Sequence, residues 1–352
     1  MAATQTALSN DAPGNYSTHA IEFLLETRAR MLATKHPFTK FGVELMLANL
    51  LSNAVKFILP ENGNLFEEHD YRPQYFDLLK LPFPICALEF SASDELYKPE
   101  SGLFPSKRRI SLLFDPIALP EEIKRVLFKI VGMADDPAIE PGSIAVMSFY
   151  ETEGMWGNSG GFLLIDPIES RPISAEEAEK ANLNPTDLAK QLGRRNTQYG
   201  MPVDIYPFWP IFDSMRTDRQ QVLRNVVIDT TDEMRAAWQF MTAINCSNVE
   251  TRKIKPSEAL NKKRTKKGKI PLFEYHVLEV DAGDPSANRK EREVKSGSGT
   301  HASPRTHLRR GHIRRLGEKS GHRTIWVNAA VVRPGAREGQ VEKVYKVAPG
   351  AS

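Results

Sequence analysis

Between His307 and Arg315 the chain places His307, Arg309, Arg310, Gly311, His312, Arg314 and Arg315. A guanidinium presents a planar fork of donors that matches a phosphate, and a glycine among arginines lets a sugar or backbone come close. In an extended strand Arg310, His312 and Arg314 share one face and His307, Arg309, Gly311 and Arg315 the other, so either face is charged. This pattern suits recognition of a polyanion, nucleic acid or the ribosome foremost, with a solvated or protein-binding face as the plainer alternative. Trp326, on the following strand, could stack on an unpaired base or fill the centre of a small sheet.

Imidazoles titrate near neutrality, so His307 and His312 could also cleave RNA as a general acid and base without a metal. A metal-dependent nuclease needs clustered carboxylates, and Glu318 is the one candidate near the arginines. Five of the eight histidines (His276, His301, His307, His312 and His322) lie in the C-terminal region, but no cysteine stands near them and no spacing matches a zinc finger. No phosphate-binding glycine loop, nucleophile elbow or dinucleotide fingerprint is present, and GNSGG at 157–161 reads as a turn. The expectation is therefore no catalytic residue, no metal and no cofactor. Cys86 and Cys246, far apart in apolar surroundings, read as buried thiols.

A second basic group precedes the first. Lys262, Lys263, Arg264, Lys266, Lys267 and Lys269 crowd the segment 251–271, where mutual repulsion predicts an extended, solvated linker. Residues 1–251 hold 23 Lys and Arg against 34 Asp and Glu, a net of −11, whereas residues 252–352 hold 24 against 10, a net of +14. An acidic body thus carries a basic arm, which favours association with nucleic acid through the arm.

The elements that must position these residues follow from periodicity. After a leader over 1–16, expected to be disordered, Ser17 can cap a helix with Ile21, Leu24, Leu25, Ala29 and Leu32 at helical spacing. Leu47, Leu50, Leu51, Ala54, Val55 and Ile58 make a second stripe that Pro60 stops. An amphipathic helix is predicted over 71–81, strands over 85–90, 109–114, 143–150 and 161–165, and a charged helix over 120–131. The aromatic loop 202–212, with Tyr206, Phe208, Trp209 and Phe212, could be a recognition surface but is expected to cover the core. Thr230 and Glu233 have capping-box spacing ahead of a helix over 231–245. The predicted class is α+β, with a helical N-terminal part and an antiparallel or mixed sheet in a body spanning 17–250. After the linker, a small basic β-rich module over 272–332 would combine a strand at 272–280, a flexible stretch at 282–304 and a hairpin at 307–332 into three strands. A disordered tail over 333–352 ends the chain. No apolar run is long enough to span a bilayer and the N-terminus lacks a signal-peptide pattern, so no membrane contact and a cytoplasmic location are expected.

The string HLRRGHIRRL, then a turn and TIWVNAAVV, resembles the C-terminal signature of a widespread family of phage and plasmid proteins. That family includes the second family of type V-A anti-CRISPR proteins. NKKRTKKGKIPLFEYHVLEV resembles the run that precedes the signature, and PICALEF and SIAVMSFYE look similar to mid-chain strands of relatives. The closest match covers 307–332, a weaker one 261–280, and the N-terminal half agrees in general layout. The resemblance implies a phage-encoded inhibitor, acting in the host cytoplasm, that lowers production of the type V-A CRISPR nuclease during translation. It would recognise the nascent enzyme and cause loss of its messenger RNA. The signature maps onto His307, Arg309, Arg310, Gly311, His312 and Trp326. The expected partners are RNA or the ribosome and the nascent polypeptide of a host defence nuclease, without catalysis. A phage RNase using His307 and His312, and a DNA-binding or virion-associated protein, are the alternatives.

Overall fold

The computed structural model describes residues 14–66, 73–93, 106–133, 139–166, 175–183 and 203–280, and in the C-terminal part 307–309, 312–317, 321, 323–327 and 330–332. The chain opens with α1 (Tyr16–Ala33), α2 (Val43–Asn53), β1 (Val55–Ile58), β2 (Ile85–Ser91) and β3 (Arg108–Phe114). Then come α3 (Glu121–Val131), β4 (Ile144–Thr152), β5 (Met155–Asn158), β6 (Gly161–Ile165), α4 (Ala175–Lys180), β7 (Asp204–Pro207) and α5 (Trp209–Ser214). The long α6 (Arg219–Ile244) leads to β8 (Val249–Ile254), α7 (Glu258–Lys266) and β9 (Tyr275–Val280). Four short strands follow: β10 (His307–Arg309), β11 (His312–Arg315), β12 (Thr324–Val327) and β13 (Ala330–Val332).

The fold is α+β. Nine strands form one mixed sheet in the order β7-β6-β4-β3-β2-β1-β9-β8, with β5 paired to β4. β1 runs parallel to β2 and to β9, and the remaining neighbours are antiparallel. Helices cover both faces, so the central strands are apolar on both sides. Leu112 of β3 joins Leu24, Leu47 and Leu127 from α1, α2 and α3. Its neighbour Leu113 joins Val226, Trp238 and Phe240 from α6 on the opposite face.

Several local expectations change under tertiary contacts. α1 begins at Tyr16, inside the predicted leader, and its cap is a carboxylate from the sheet. Glu89 of β2 accepts from the N–H groups of Tyr16 at 2.9 Å and Ser17 at 2.8 Å, which satisfies two of the amides a helix start leaves unpaired. The apolar stripe through Ile58 divides at Asn53: Leu47, Leu50 and Leu51 stay helical, whereas Val55 and Ile58 enter β1 between two parallel neighbours. β-Branched residues suit that pleated position better than a helix end. The predicted helix over 71–81 is a 3-10 segment, Pro73–Leu78. α6 is capped by Asp218, whose carboxylate accepts from the N–H groups of Gln220 and Gln221, so Thr230 and Glu233 lie buried in mid-helix and cap nothing. The segment expected to be an aromatic loop is instead β7, paired with β6, followed by α5; Tyr206 stacks on Phe162 at 5.2 Å and Phe208 is buried, so it does cover the core.

The largest change concerns the basic segment. Residues 251–271 are not an extended linker, because they hold most of β8 and all of α7, and the predicted strand at 272–280 becomes β9 within the body sheet. The body therefore extends through Val280. Charge repulsion along α7 is offset in three ways. Lys263, Arg264 and Lys266 occupy its last turn, where cations complement the helix dipole, and Glu258 occupies the first. Arg264 turns inward to Glu22 of α1, 2.7 Å away, and to the Ile270 carbonyl at 2.8 Å. Asn261 clamps the backbone of Leu272, accepting from its N–H at 2.8 Å and donating to its carbonyl at 3.0 Å. The leader residues before Gly14, the stretch at 282–304 and the tail from Arg333 lie outside the described residues.

Candidate nucleic-acid interface

Of the six cations predicted on the first basic segment, Lys262, Lys263, Lys266, Lys267 and Lys269 are exposed on or just after α7. Arg264 is the exception, being half-buried in its bridge to Glu22. An open groove runs between α7 and the chain entering β9, its lining mixing the cations Lys255, Lys262 and Lys266 with the carboxylates Glu258 and Glu274. Lys255 and Glu274 approach to 3.8 Å, but both are exposed, so water and salt screen the pair and leave the lysine available to an anion.

The second basic segment forms strand pairs. β11 pairs antiparallel with β12, setting Ile313 opposite Trp326 and Arg314 opposite Ile325, while β10 pairs with β13. A two-stranded hairpin is marginal by itself, and here the body supports it in place of the strand at 272–280. Ile313 and Trp326 are buried in the α6-side core, with Trp326 edge-on to Phe66 at 6.2 Å. Tyr75 donates its hydroxyl to the Ile313 carbonyl at 3.3 Å, and the Ser247 N–H donates to the Thr324 carbonyl at 2.9 Å. Trp326 is thus a core residue, 8% exposed, and its ring offers no face to a base. Arg314 and Arg315 are exposed on this anchored hairpin, with Arg315 3.5 Å from Asp77. Arg310 and Gly311 lie outside the described residues, and at His307, Arg309 and His312 the backbone alone is described.

Three cations missed at the level of sequence lie between the two predicted groups. Arg252 and Lys253 on β8, and Lys255 just beyond it, are exposed at the edge of the sheet. The alternation in TRKIKP was the available signal, obscured because the whole run reads as one charge-rich linker. β8 starts beside β12 and ends at the groove of α7, so the strand joins the two basic regions over ~20 Å, the rise of six extended residues.

Other titratable groups have partners in the core. His276, on β9, packs edge-on to Phe57 at 5.3 Å, and burial, helped by Lys253, lowers its pKa. Cys86 and Cys246 are free and buried, and burial pushes both thiols up to about 12, which makes them poor nucleophiles. Arg109 of β3 lies 2.7 Å from Asp232 and 3.4 Å from Glu233 of α6, pinning that helix to the sheet. Among the described residues no three His, Cys, Asp or Glu side chains come together as a metal site, and no helix is long and apolar enough to cross a membrane. No family model, no curated protein and no solved structure matches this chain.

Proposed function

We propose that the protein binds RNA, free or in the ribosome, through the basic surface that runs from the β11–β12 hairpin along β8 to α7. The observation that carries this is the row of exposed lysines on and beside α7, a folded helix whose backbone is braced by Arg264 and Asn261. A lysine on a folded helix loses less backbone freedom on meeting a phosphate than one on a solvated tail, and each contact releases a condensed counterion from the nucleic acid. The resemblance of the C-terminal segment supplies the setting: a phage or mobile-element inhibitor of host CRISPR immunity that lowers nuclease production at translation, with the acidic body meeting the nascent polypeptide. Such a protein needs no catalytic group of its own.

The test is recovery of the intact protein from translating host cells that carry a type V-A nuclease gene, comparing wild type with Lys262→Ala/Lys266→Ala/Lys267→Ala. Ribosomes or the nuclease messenger should come with the wild type and be lost with the triple variant. Recovery of neither by the wild type would remove the RNA-binding reading.

A further inference from the structure

With Trp326 buried, an RNA ligand has lost the ring that the sequence offered for stacking, and another aromatic residue is placed for that task. Phe83, just ahead of β2, is 36% exposed. Its ring lies 6.3 Å from Phe57 and 6.1 Å from His276, both buried beneath it. Phe57 in turn packs on Phe240 of α6 at 4.6 Å, so the support reaches into the core and holds the exposed ring in place. His276 is the direct cross-strand partner of Lys253 on β8. Directly opposed residues of an antiparallel pair point to the same face, with Cβ atoms about 4.5–5.5 Å apart. Lys253 therefore projects on the face that carries Phe83. It is exposed and has no ion-pair partner among the described residues.

We propose that Phe83 and Lys253 form a nucleotide subsite at the edge of the sheet, where an unpaired RNA base stacks on the Phe83 ring and its phosphate meets the Lys253 ammonium. From there the strand continues past Lys255 to Lys262 and Lys266 in the groove of α7. Lys253 and Lys255 stand two extended residues apart, ~6.6 Å, about the reach of one nucleotide in an extended backbone. Every base has a π-face, so stacking on Phe83 tolerates any sequence, while the ammonium groups select for a phosphate chain. A duplex keeps its bases stacked inside and gains nothing from the ring. The subsite therefore favours single-stranded RNA, and it rests on the RNA-binding reading above.

The test measures fluorescence anisotropy of the full chain with a labelled U-rich RNA oligonucleotide, single-stranded or annealed to its complement. Phe83→Leu and Phe83→Ala should weaken single-strand binding by about tenfold, the scale of losing one stacked base, and leave duplex binding unchanged. Phe83→Tyr should bind as the wild type does. Lys253→Ala should lower the slope of log affinity against log salt by about 0.7 for the single strand. Thermal melts identify any variant that fails to fold, and Phe83→Leu keeps the apolar contact with Phe57. Folded Phe83→Leu binding the single strand at wild-type affinity overturns the subsite while RNA binding stands. A wild type that binds neither form overturns RNA binding and the subsite together.

Discussion

The side-chain amide of Asn248 holds both backbone groups of Trp326, donating to its carbonyl at 2.9 Å and accepting from its N–H at 2.8 Å. An asparagine just ahead of β8 thereby does for β12 what a neighbouring strand would do, and ties the C-terminal hairpin to the body. Asn248→Ala leaves two backbone groups of a buried residue without these bonds, at an expected cost of about 2 kcal/mol. Urea unfolding gives the stability, and hydrogen exchange at 312–327 shows whether the hairpin loosens first. Unchanged protection there would mean that the apolar contacts of Ile313 and Trp326, with the Tyr75 and Ser247 hydrogen bonds, suffice to hold it.

Trp326 itself separates packing from recognition. Trp326→Ala should cost about 3–5 kcal/mol as a large core truncation, whereas Trp326→Phe should fold and keep wild-type affinity for RNA. A folded Trp326→Phe protein that has lost RNA binding would return the stacking role to this residue.

Charge on α7 divides the same way. Lys262→Ala/Lys266→Ala removes exposed cations and should leave the melting temperature unchanged while lowering the single-strand salt slope by about 1.4, or ~0.7 per lost contact. Arg264→Ala removes the brace to Glu22 and the Ile270 carbonyl and should cost about 1–2 kcal/mol of stability. Equal behaviour of the two variants would show that α7 is not positioned by Arg264.

What was legible in the sequence was local. Apolar-rich runs such as ICALEF, interrupted only by Glu89, and ISLLF in RRISLLF mark strands because their side chains pack on both faces of a covered sheet. The cap of α1 was illegible because its acceptor, Glu89, is remote in the chain and becomes adjacent through the sheet alone. The α7 segment misled for a related reason. Its repulsion is visible in the sequence, but Glu22 and the Asn261 clamp on Leu272, which offset it, are tertiary. Trp326 sits in a pattern equally compatible with an exposed and a buried face, and Phe66 and Asn248, which decide between them, come from elsewhere in the chain. Phe83 lies between two prolines and carries no periodic signal of exposure.

The pH dependence of stability is set in part by Glu233. Burial pushes its carboxyl up to about 7 from an ordinary 4.5, with Arg109 pulling it down and Asp232 pushing it further up. Between those two values the folded protein keeps a proton that the unfolded chain releases. The stabilisation is therefore fully present below pH 4.5, declines as pH rises through 7, and levels off beyond. A shift of that size corresponds to about 3 kcal/mol. Burial shifts Asp229 and Glu89 in the same direction, so the wild-type slope has further contributors. Glu233→Gln keeps the volume and removes the titration, so its unfolding free energy should change less between pH 5 and pH 7.5 and should exceed the wild-type value at the higher pH. Chemical denaturation at several pH values reads both quantities. A variant that follows the wild-type pH curve would show that Glu233 stays ionised in the folded protein, held by Arg109 despite its burial.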